Sequence, residues 1–217
     1  MSDCTPVDTP CEPNLHLAAS DSPPPAEVVR KYQQLIGACM YLTCFTRGDC
    51  GFAVNQCARF MLNPGPTNIA AAKRILCYLA STRSIGITYR QGAMDPSLLS
   101  VGVETAPNQL SASTDAHHAG ADDRSSVSGL AIMLAGAMIA WSSKRQPVTA
   151  ISSTESKFYS VSQYALDCVY LRRIMELLGY DHTAPTLIAQ DNNACIFLVK
   201  GSACMCVPST STFVFIG

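Results

Sequence analysis

Residues 152–191 read SSTESKFYSVSQYALDCVYLRRIMELLGYDHTAPTLIAQD, and this stretch decides the fold that the sequence predicts. Apolar side chains recur in it at steps of three and four, which predicts an amphipathic helix over 155–178 that Gly179 can end. The shared apolar face consists of Phe158, Val161, Ala165, Cys168, Leu171, Met175 and Leu178. The short apolar run at 186–190 then predicts a buried strand. A long helix that leads into a buried strand is typical of an α/β domain.

The residues on either side of this stretch extend the α/β pattern. β-prone runs at 110–116, 127–134 and 137–141 predict three strands, and the break around Gly136 predicts a hairpin between the last two. A short helix is predicted over 192–200. We therefore expect an α/β domain over residues 109–201, followed by a tail over 202–217.

The first part of the chain predicts a separate helical unit. Residues 1–26 contain six prolines and little periodicity, which indicates an extended lead-in. From residue 27 onward the apolar spacing predicts a first helix. Asp49 is placed to cap a second helix that ends near Leu62, and Thr67 is placed to cap a third. With a β-prone run at 86–90, this helical unit covers residues 27–90.

Composition limits the classes of function. The net charge is −1 and only 14% of the residues are charged, which argues mildly against strong phosphate binding over the whole surface. Eleven cysteines occur without a signal peptide or a Cys-x-x-Cys pair, so we expect reduced, structural thiols. No run of 18 apolar residues occurs, and we expect no membrane partner. These features predict an intracellular protein, cytoplasmic or nuclear, without a visible targeting signal.

Three acidic residues stand at the edges of three different predicted elements. They are Asp115, Glu155 and Asp191. Carboxylates that converge from separate elements can hold a pair of divalent cations. Each also has a simpler interpretation: Asp115 as a turn residue, Glu155 as the partner of Ser152 in a capping box, and Asp191 as part of a helix cap with Asn192. Spacing alone leaves both interpretations open.

Three blocks in the helical unit resemble the end of the reverse transcriptase in copia-type retrotransposon polyproteins. Residues 32–43 read YQQLIGACMYLT and resemble YRxLIGSLxYLT. Residues 46–55 read TRGDCGFAVN and resemble TRPDIxFAVN, with Gly48 in the place of proline. Residues 71–79 read AAKRILCYL and resemble AAKRVLRYL. In such polyproteins these blocks lead into a ribonuclease H domain.

Blocks similar to that ribonuclease H domain follow in the same order. They are STDA at 113–116 against SDAD, DRSSVSG at 123–129 against DRRSTSG, WSSKRQ at 141–146 against WSSKKQ, SSTESKF at 152–158 against SSTEAEY, LRR at 171–173 against WLRR, and DNNA at 191–194 against CDNQSA. The resemblance spans about residues 4–201. It implies a ribonuclease H-like mixed sheet with helices after a helical tail of reverse transcriptase.

The resemblance also implies a chemistry and its partners. Asp115, Glu155 and Asp191 become the implied catalytic residues and the ligands of two Mg²⁺ ions, which would serve cleavage of RNA in an RNA–DNA hybrid. The implied partners are this hybrid or another nucleic acid, and the rest of the polyprotein. Lys144 and Arg145 are candidates for nucleic-acid contacts, together with Lys157, Arg172 and Arg173. A solvated helix face or loop explains these basic residues about as well.

The chain departs from the family pattern in three places. His117 and His118 replace an Asp-Trp pair, the loop before Asp122, Asp123 and Arg124 is shorter, and a block like RTKHIDIRYHFVRE is absent after residue 201. We therefore expect a truncated domain that lacks its last strand, its last helix and a fourth acidic residue. The sequence predicts a fragment whose ribonuclease H activity is reduced or lost. The alternatives are a noncatalytic nucleic-acid-binding or structural relic, and a fragment with no selected function.

Overall fold

The computed structural model describes residues 4–13, 15–92, 109–118, 124–180, 184–202 and 213–216. The chain divides into two compact units, residues 1–87 and residues 88–217, which we call unit 1 and unit 2. Two sequence features lie outside the described residues: the acidic pair Asp122–Asp123 and the cysteines of residues 204 and 206.

Unit 1 is helical, as predicted. Its described elements are α1 (Ala26–Phe45), a 3₁₀ helix (Gly48–Cys50), α2 (Gly51–Ala58) and α3 (Pro66–Ser81). The helices pack around a common core in which Ile36, Val54 and Ile75 are almost fully buried. Helix α2 ends before the predicted end near Leu62, because residues 59–65 form turns.

Two predicted helix caps in unit 1 are wrong. Cys50 precedes α2 and Gly65 precedes α3, and neither makes a side-chain cap hydrogen bond. Asp49 instead accepts hydrogen bonds from the guanidinium of Arg47. Thr67 lies inside α3, which begins with a proline, and proline is favoured there because the first helical N–H needs no intrahelical partner.

Unit 2 alternates strands and helices. Its described elements are β1 (Ser111–His117), β2 (Val127–Leu134), β3 (Ala137–Arg145), α4 (Ser153–Leu177), β4 (Thr186–Ala189), α5 (Asn193–Ser202) and β5 (Phe213–Ile216). The strands form one sheet in the order β3-β2-β1-β4-β5. β1 pairs antiparallel with β2 and parallel with β4, so the predicted mixed α/β sheet is confirmed.

The predicted hairpin joins β2 and β3. Ala135 and Gly136 have φ values of 52° and 77°, the positive values that a tight hairpin turn of the primed type needs at both central residues. β3 continues to Arg145, beyond the predicted end at Trp141, because its outer residues pair with β2 up to Val127.

Helix α4 supplies the core of unit 2. Tyr164 and Cys168 are fully buried against Ile132 and Ile188, which belong to β2 and β4. The Tyr164 hydroxyl donates a hydrogen bond to the backbone oxygen of Ser128 at 3.2 Å, which satisfies its polar end inside the core. The predicted apolar face packs in this core from Phe158 to Met175, whereas its last member, Leu178, lies beyond the end of α4 and is exposed.

The segment predicted to be a tail over 202–217 contributes a strand to the sheet. β5 adds a fifth strand next to β4, and the two run antiparallel, with Thr186 opposite Ile216 and Ala189 opposite Phe213. The sequence FVFI in this strand belongs to the segment that we predicted to be a tail. A β-prone tetrapeptide pairs here because the edge of β4 would otherwise expose unpaired backbone groups.

Candidate functional site

The carboxyl ends of β1 and β4 bring Asp115 and Asp191 to the same edge of the sheet. These neighbouring strands run parallel, and their register pairs Ser113 with Ala189. Each aspartate lies two residues beyond that pair, so the two carboxylates project at the same level. The structure thus places two of the three predicted site residues together.

Lys157 of α4 binds both aspartates. Its Nζ lies 3.0 Å from Oδ1 of Asp115 and 2.5 Å from Oδ1 of Asp191. The lysine side chain is only 14% exposed, whereas the aspartate side chains are 70% and 71% exposed. Burial by itself would lower the pKa of Lys157, but the hydrogen bonds to Asp191 and Asp115 outweigh it and the pKa is raised. A protonated ammonium group therefore lies beneath two outward-facing carboxylates.

Hydrogen bonds to the backbone hold the two aspartates in place. On the β1 side, Ser160 of α4 donates its hydroxyl to the backbone oxygen of Asp115 at 2.9 Å. On the β4 side, the buried Gln190 side chain accepts from the backbone N–H of Asp191 at 2.9 Å. The same side chain donates to the Thr114 hydroxyl at 3.4 Å, which ties the ends of β4 and β1 together.

Glu155, the third predicted site residue, serves as a helix cap. The Ser152 hydroxyl accepts from the backbone N–H of Glu155 at 3.1 Å, and the Glu155 carboxylate accepts from the N–H of Ile151 at 2.7 Å. The first bond satisfies a backbone donor at the start of α4 that has no intrahelical partner. It confirms the Ser152 half of the predicted capping box, whereas Glu155 accepts from Ile151, one residue before the cap, instead of from the N–H of Ser152. Among the described residues, Glu155 does not join the two aspartates in a group that could hold a metal ion.

The helix after β4 is capped by Asn192 rather than by Asp191. The Asn192 side-chain oxygen accepts from the backbone N–H of Cys195 at 2.8 Å. This cap leaves the Asp191 carboxylate to bind Lys157. Both residues are predicted cap candidates; in the structure Asn192 caps the helix and Asp191 binds Lys157.

The donor set does not fit a pair of Mg²⁺ ions. Among the described residues, no three His, Cys, Asp or Glu side chains are grouped closely enough to hold a metal ion. The ammonium group of Lys157 lies between the two carboxylates that would supply the ligands, and ammonium and magnesium compete for the same oxygens. The described residues therefore do not supply the set of ligands that hydrolysis with two Mg²⁺ ions needs.

Lys144 and Arg145, the predicted nucleic-acid contacts, are exposed at the outer end of β3. Lys144 lies opposite Ser128 on β2, which in turn lies opposite Ala116 on β1. These basic residues therefore stand at the same end of the sheet as the two aspartates, two strands away.

Arg172, another predicted candidate for phosphate contacts, and His118 both have polar neighbours within unit 2. Arg172 donates to the backbone oxygen of Ala184 at 2.8 Å and to the Thr186 hydroxyl at 3.0 Å, which fixes α4 to the start of β4. His118 lies 3.4 Å from the Ser126 hydroxyl through its Nδ1. Arg172 thus has a structural role at the end of the sheet where β4 begins.

Two polar residues important to the site were missed in the sequence analysis. Gln146 and Gln190 are 4% and 2% exposed. The Gln146 amide donates to the Ser128 hydroxyl and to the backbone oxygen of Ser156, both at 2.8 Å, and so joins β2 to the first turn of α4. A glutamine directly after a strand is the available sequence signal, because a buried amide there must find partners in neighbouring elements.

The described cysteines form no disulfides with one another. They include the buried residues Cys39, Cys50, Cys57, Cys168 and Cys195. Burial raises the pKa of Cys57 and of Cys168 to about 11. These thiols are therefore protonated at neutral pH and behave as small apolar side chains.

Comparison with known proteins identifies relatives over most of the chain. The Retrovirus-related Pol polyprotein from transposon RE1 of Arabidopsis thaliana is 33% identical over 201 residues, which are 91% of this chain and 13% of that protein. The Retrovirus-related Pol polyprotein from transposon TNT 1-94 of Nicotiana tabacum is 30% identical over 208 residues, 93% of this chain and 14% of that protein. The chain thus spans about one seventh of the length of these polyproteins or less.

A shorter relative matches over most of its own length. Secreted RxLR effector protein 161 of Plasmopara viticola is 35% identical over 141 residues, which are 64% of this chain and 90% of that protein. No protein-family model and no solved structure gives a significant match.

Among the described residues, no helix is both long and apolar enough to cross a bilayer.

The similarity to polyproteins covers both units, since it extends over about nine tenths of the chain. The chain is therefore related, over about nine tenths of its length, to a small segment of the retrovirus-related Pol polyproteins of transposons.

Proposed function

We propose that unit 2 is a ribonuclease H-type domain of retrotransposon origin in which hydrolysis of RNA in RNA–DNA hybrids is reduced or lost. The observation that carries this proposal is the placement of Asp115 on β1 and of Asp191 just beyond β4 at one level of two adjacent parallel strands. Acidic residues in this arrangement suit phosphodiester hydrolysis assisted by divalent cations. The relatives support the retrotransposon origin.

The contacts of the predicted site residues support a loss of activity. Glu155 is committed to the cap of α4, and Lys157 neutralises one of the two carboxylate charges. A cationic side chain between the carboxylates opposes the binding of a second cation by charge repulsion. The domain retains the position of a hydrolytic site without its complete acidic set.

An RNA–DNA hybrid assay tests this proposal. The full chain and its Asp115→Asn variant are incubated with Mg²⁺ and a hybrid that carries a label on its RNA strand. We expect no cleavage by the chain above the level of the variant. Mg²⁺-dependent cleavage by the chain that Asp115→Asn abolishes would overturn the loss of activity.

A noncatalytic nucleic-acid-binding function is the second candidate. It is favoured by the exposed Lys144 and Arg145, which lie at the same end of the sheet as the two aspartates. Fluorescence anisotropy with a labelled hybrid tests it through a variant that carries Lys144→Gln and Arg145→Gln. If both residues contact phosphates, this variant binds more weakly and its salt dependence falls by about 2 in slope. Lys31→Gln, which removes an exposed charge from unit 1, is the matched control.

The same proposal assigns the chain to a larger assembly. Its relatives are polyproteins of which it matches about 13%. The partners we propose are therefore a nucleic acid, in particular an RNA–DNA hybrid, and the remainder of such a polyprotein.

A further inference from the structure

We infer that the ammonium group of Lys157 is a built-in counter-ion that replaces a divalent cation between Asp115 and Asp191, so that this edge of unit 2 is complete without metal. The inference rests on the proposed function, because it takes the two aspartates as the remains of a metal site. It goes further by assigning the loss of metal binding to one residue, Lys157, and by predicting which substitution restores that binding.

The geometry supports the replacement. One oxygen of each aspartate contacts the same nitrogen, Nζ of Lys157. A cation that bridged those two oxygens would need the volume that the nitrogen occupies. Since the lysine side chain is largely buried while both aspartates are exposed, the ammonium group comes from inside the unit and cannot be displaced without exposing or moving its packed stem.

The charges support it as well. Two carboxylates close together repel each other, and a cation between them removes most of that repulsion. Lys157 supplies one positive charge and leaves the cluster with a net charge of −1. A divalent cation that entered next to Lys157 would be repelled by the ammonium group, which already reduces the repulsion between the two carboxylates.

The position of Lys157 on α4 explains how an ammonium group comes to lie between the two aspartates. Residues 152–158 read SSTESKF, and in the similar block SSTEAEY a glutamate stands at the position of Lys157. Successive helical residues are rotated by about 100°, so Glu155 and Lys157 project in nearly opposite directions. Glu155 turns back to Ile151, whereas Lys157 faces the two aspartates. Position 157, rather than position 155, is therefore the helical member of the site.

The decisive variant is Lys157→Glu in the full chain, with Lys157→Gln as the matched control. Binding of Mn²⁺ is measured by isothermal titration calorimetry, and the melting temperature is measured with and without Mn²⁺. We expect Lys157→Glu to bind Mn²⁺ at least about tenfold more tightly than the unaltered chain and to melt at a higher temperature when the metal is present. The further change Asp115→Asn in Lys157→Glu should remove both effects. Binding by Lys157→Glu that is no tighter than binding by the unaltered chain would overturn the inference.

A second measurement tests the inference even if Lys157→Glu does not fold, because it uses the unaltered chain. Mn²⁺ is paramagnetic and broadens the NMR signals of nearby amides, so the unaltered chain is titrated with Mn²⁺ while the amides of Asp115 and Asp191 are observed. We expect no broader signals there than in Asp115→Asn. Selective broadening that this variant loses would show that the unaltered site takes the metal and would refute the counter-ion role.

These outcomes are independent of the hybrid assay. Cleavage of the hybrid by the unaltered chain would contradict the proposed loss of function. Failure of Lys157→Glu to gain metal affinity, with no cleavage by the unaltered chain, would contradict only the role of Lys157.

Discussion

Among the described residues, each unit contains an ionic cluster around a buried cation, and the two clusters differ in the exposure of the anions that bind this cation. In unit 1 the side chain of Arg47 is 8% exposed and that of Asp49 is 31% exposed. In unit 2 the side chain of Lys157 is 14% exposed, but its two aspartates are about 70% exposed. The first cluster is largely shielded from water, and the carboxylates of the second face the solvent.

The partners of Arg47 explain why the first cluster is closed. Its guanidinium donates to both carboxylate oxygens of Asp49, at 3.0 and 2.8 Å, and to Thr82 at the end of α3. Tyr78 donates its hydroxyl to Asp49 at 2.8 Å, and its ring lies 5.3 Å from the guanidinium carbon. Arg47 thus pairs with a single carboxylate, and its other hydrogen bonds go to the neutral oxygens of Thr82.

The comparison shows how the same interaction can stabilise a fold or mark a site. A cluster with balanced charge and saturated hydrogen bonds has nothing left to offer a ligand. The Lys157 cluster keeps an excess negative charge and exposed carboxylate oxygens at a sheet edge. Four measurements test this difference, and we give them from the largest expected effect to the smallest.

The largest effect is expected from Arg47→Ala. This variant leaves the Asp49 carboxylate partly buried without its cation, and breaking such a pair costs about 3–5 kcal/mol of unfolding free energy. Urea unfolding followed by hydrogen exchange of the α1 and α3 amides measures the loss in unit 1. Lys31→Ala is the control, because Lys31 pairs with Glu27 in an exposed position and its loss should cost about 0.5 kcal/mol or less. Equal losses in the two variants would contradict the closed cluster.

Acid should weaken unit 1 through Asp49. Burial alone would raise the pKa of this carboxyl group, but hydrogen bonds from Arg47 and Tyr78 outweigh it and the pKa lies below its ordinary value of 3.8. A carboxyl group with a depressed folded-state pKa contributes stability above its unfolded-state pKa and loses it as the pH falls through the folded-state value. The unfolding free energy of unit 1, measured between about pH 5 and about pH 2, should therefore fall less steeply in Asp49→Asn than in the unaltered chain.

A smaller effect is expected from Lys157→Met, which retains most of the packed stem and removes the charge. The two exposed aspartates then repel each other without a cation between them, and we expect unit 2 to lose about 1–2 kcal/mol. Because solvent-exposed charges are screened, about 1 M NaCl should reduce this loss. A loss as large as that of Arg47→Ala would show that the cluster in unit 2 is closed as well.

The smallest effects concern the cap of α4. Ser152→Ala should cost about 1 kcal/mol, because the N–H of Glu155 loses its acceptor. Glu155→Gln should change the stability by less than about 0.5 kcal/mol, since its amide oxygen can still accept from Ile151. Thermal unfolding of unit 2 measures both. If Glu155→Gln raised the stability by more than this, relief of carboxylate repulsion would place Glu155 with the site after all.

Much of the fold could be predicted from the sequence because its elements have strong local signals. The apolar periodicity of α4 and the hairpin at Gly136 were predicted correctly. One error arose where a polar residue had partners that its local pattern does not show. Asp49 was predicted to cap a helix, but it binds Arg47, which is close along the chain, and Tyr78, which lies on α3. The strand at residues 213–216 was missed because a four-residue apolar segment pairs only when a sheet edge is available.

The site divides in the same way. The sequence by itself determined the helices of unit 1, the α/β order of unit 2 and the presence of acidic residues after two of its strands. Only the tertiary structure decided that Asp115 and Asp191 share one lysine and that Glu155 turns away to cap its helix. Periodicity and capping act between residues that are close along the chain. The pairing of charges depends on the register of β1 and β4 and on the rotation of α4, which are set by contacts across dozens of residues.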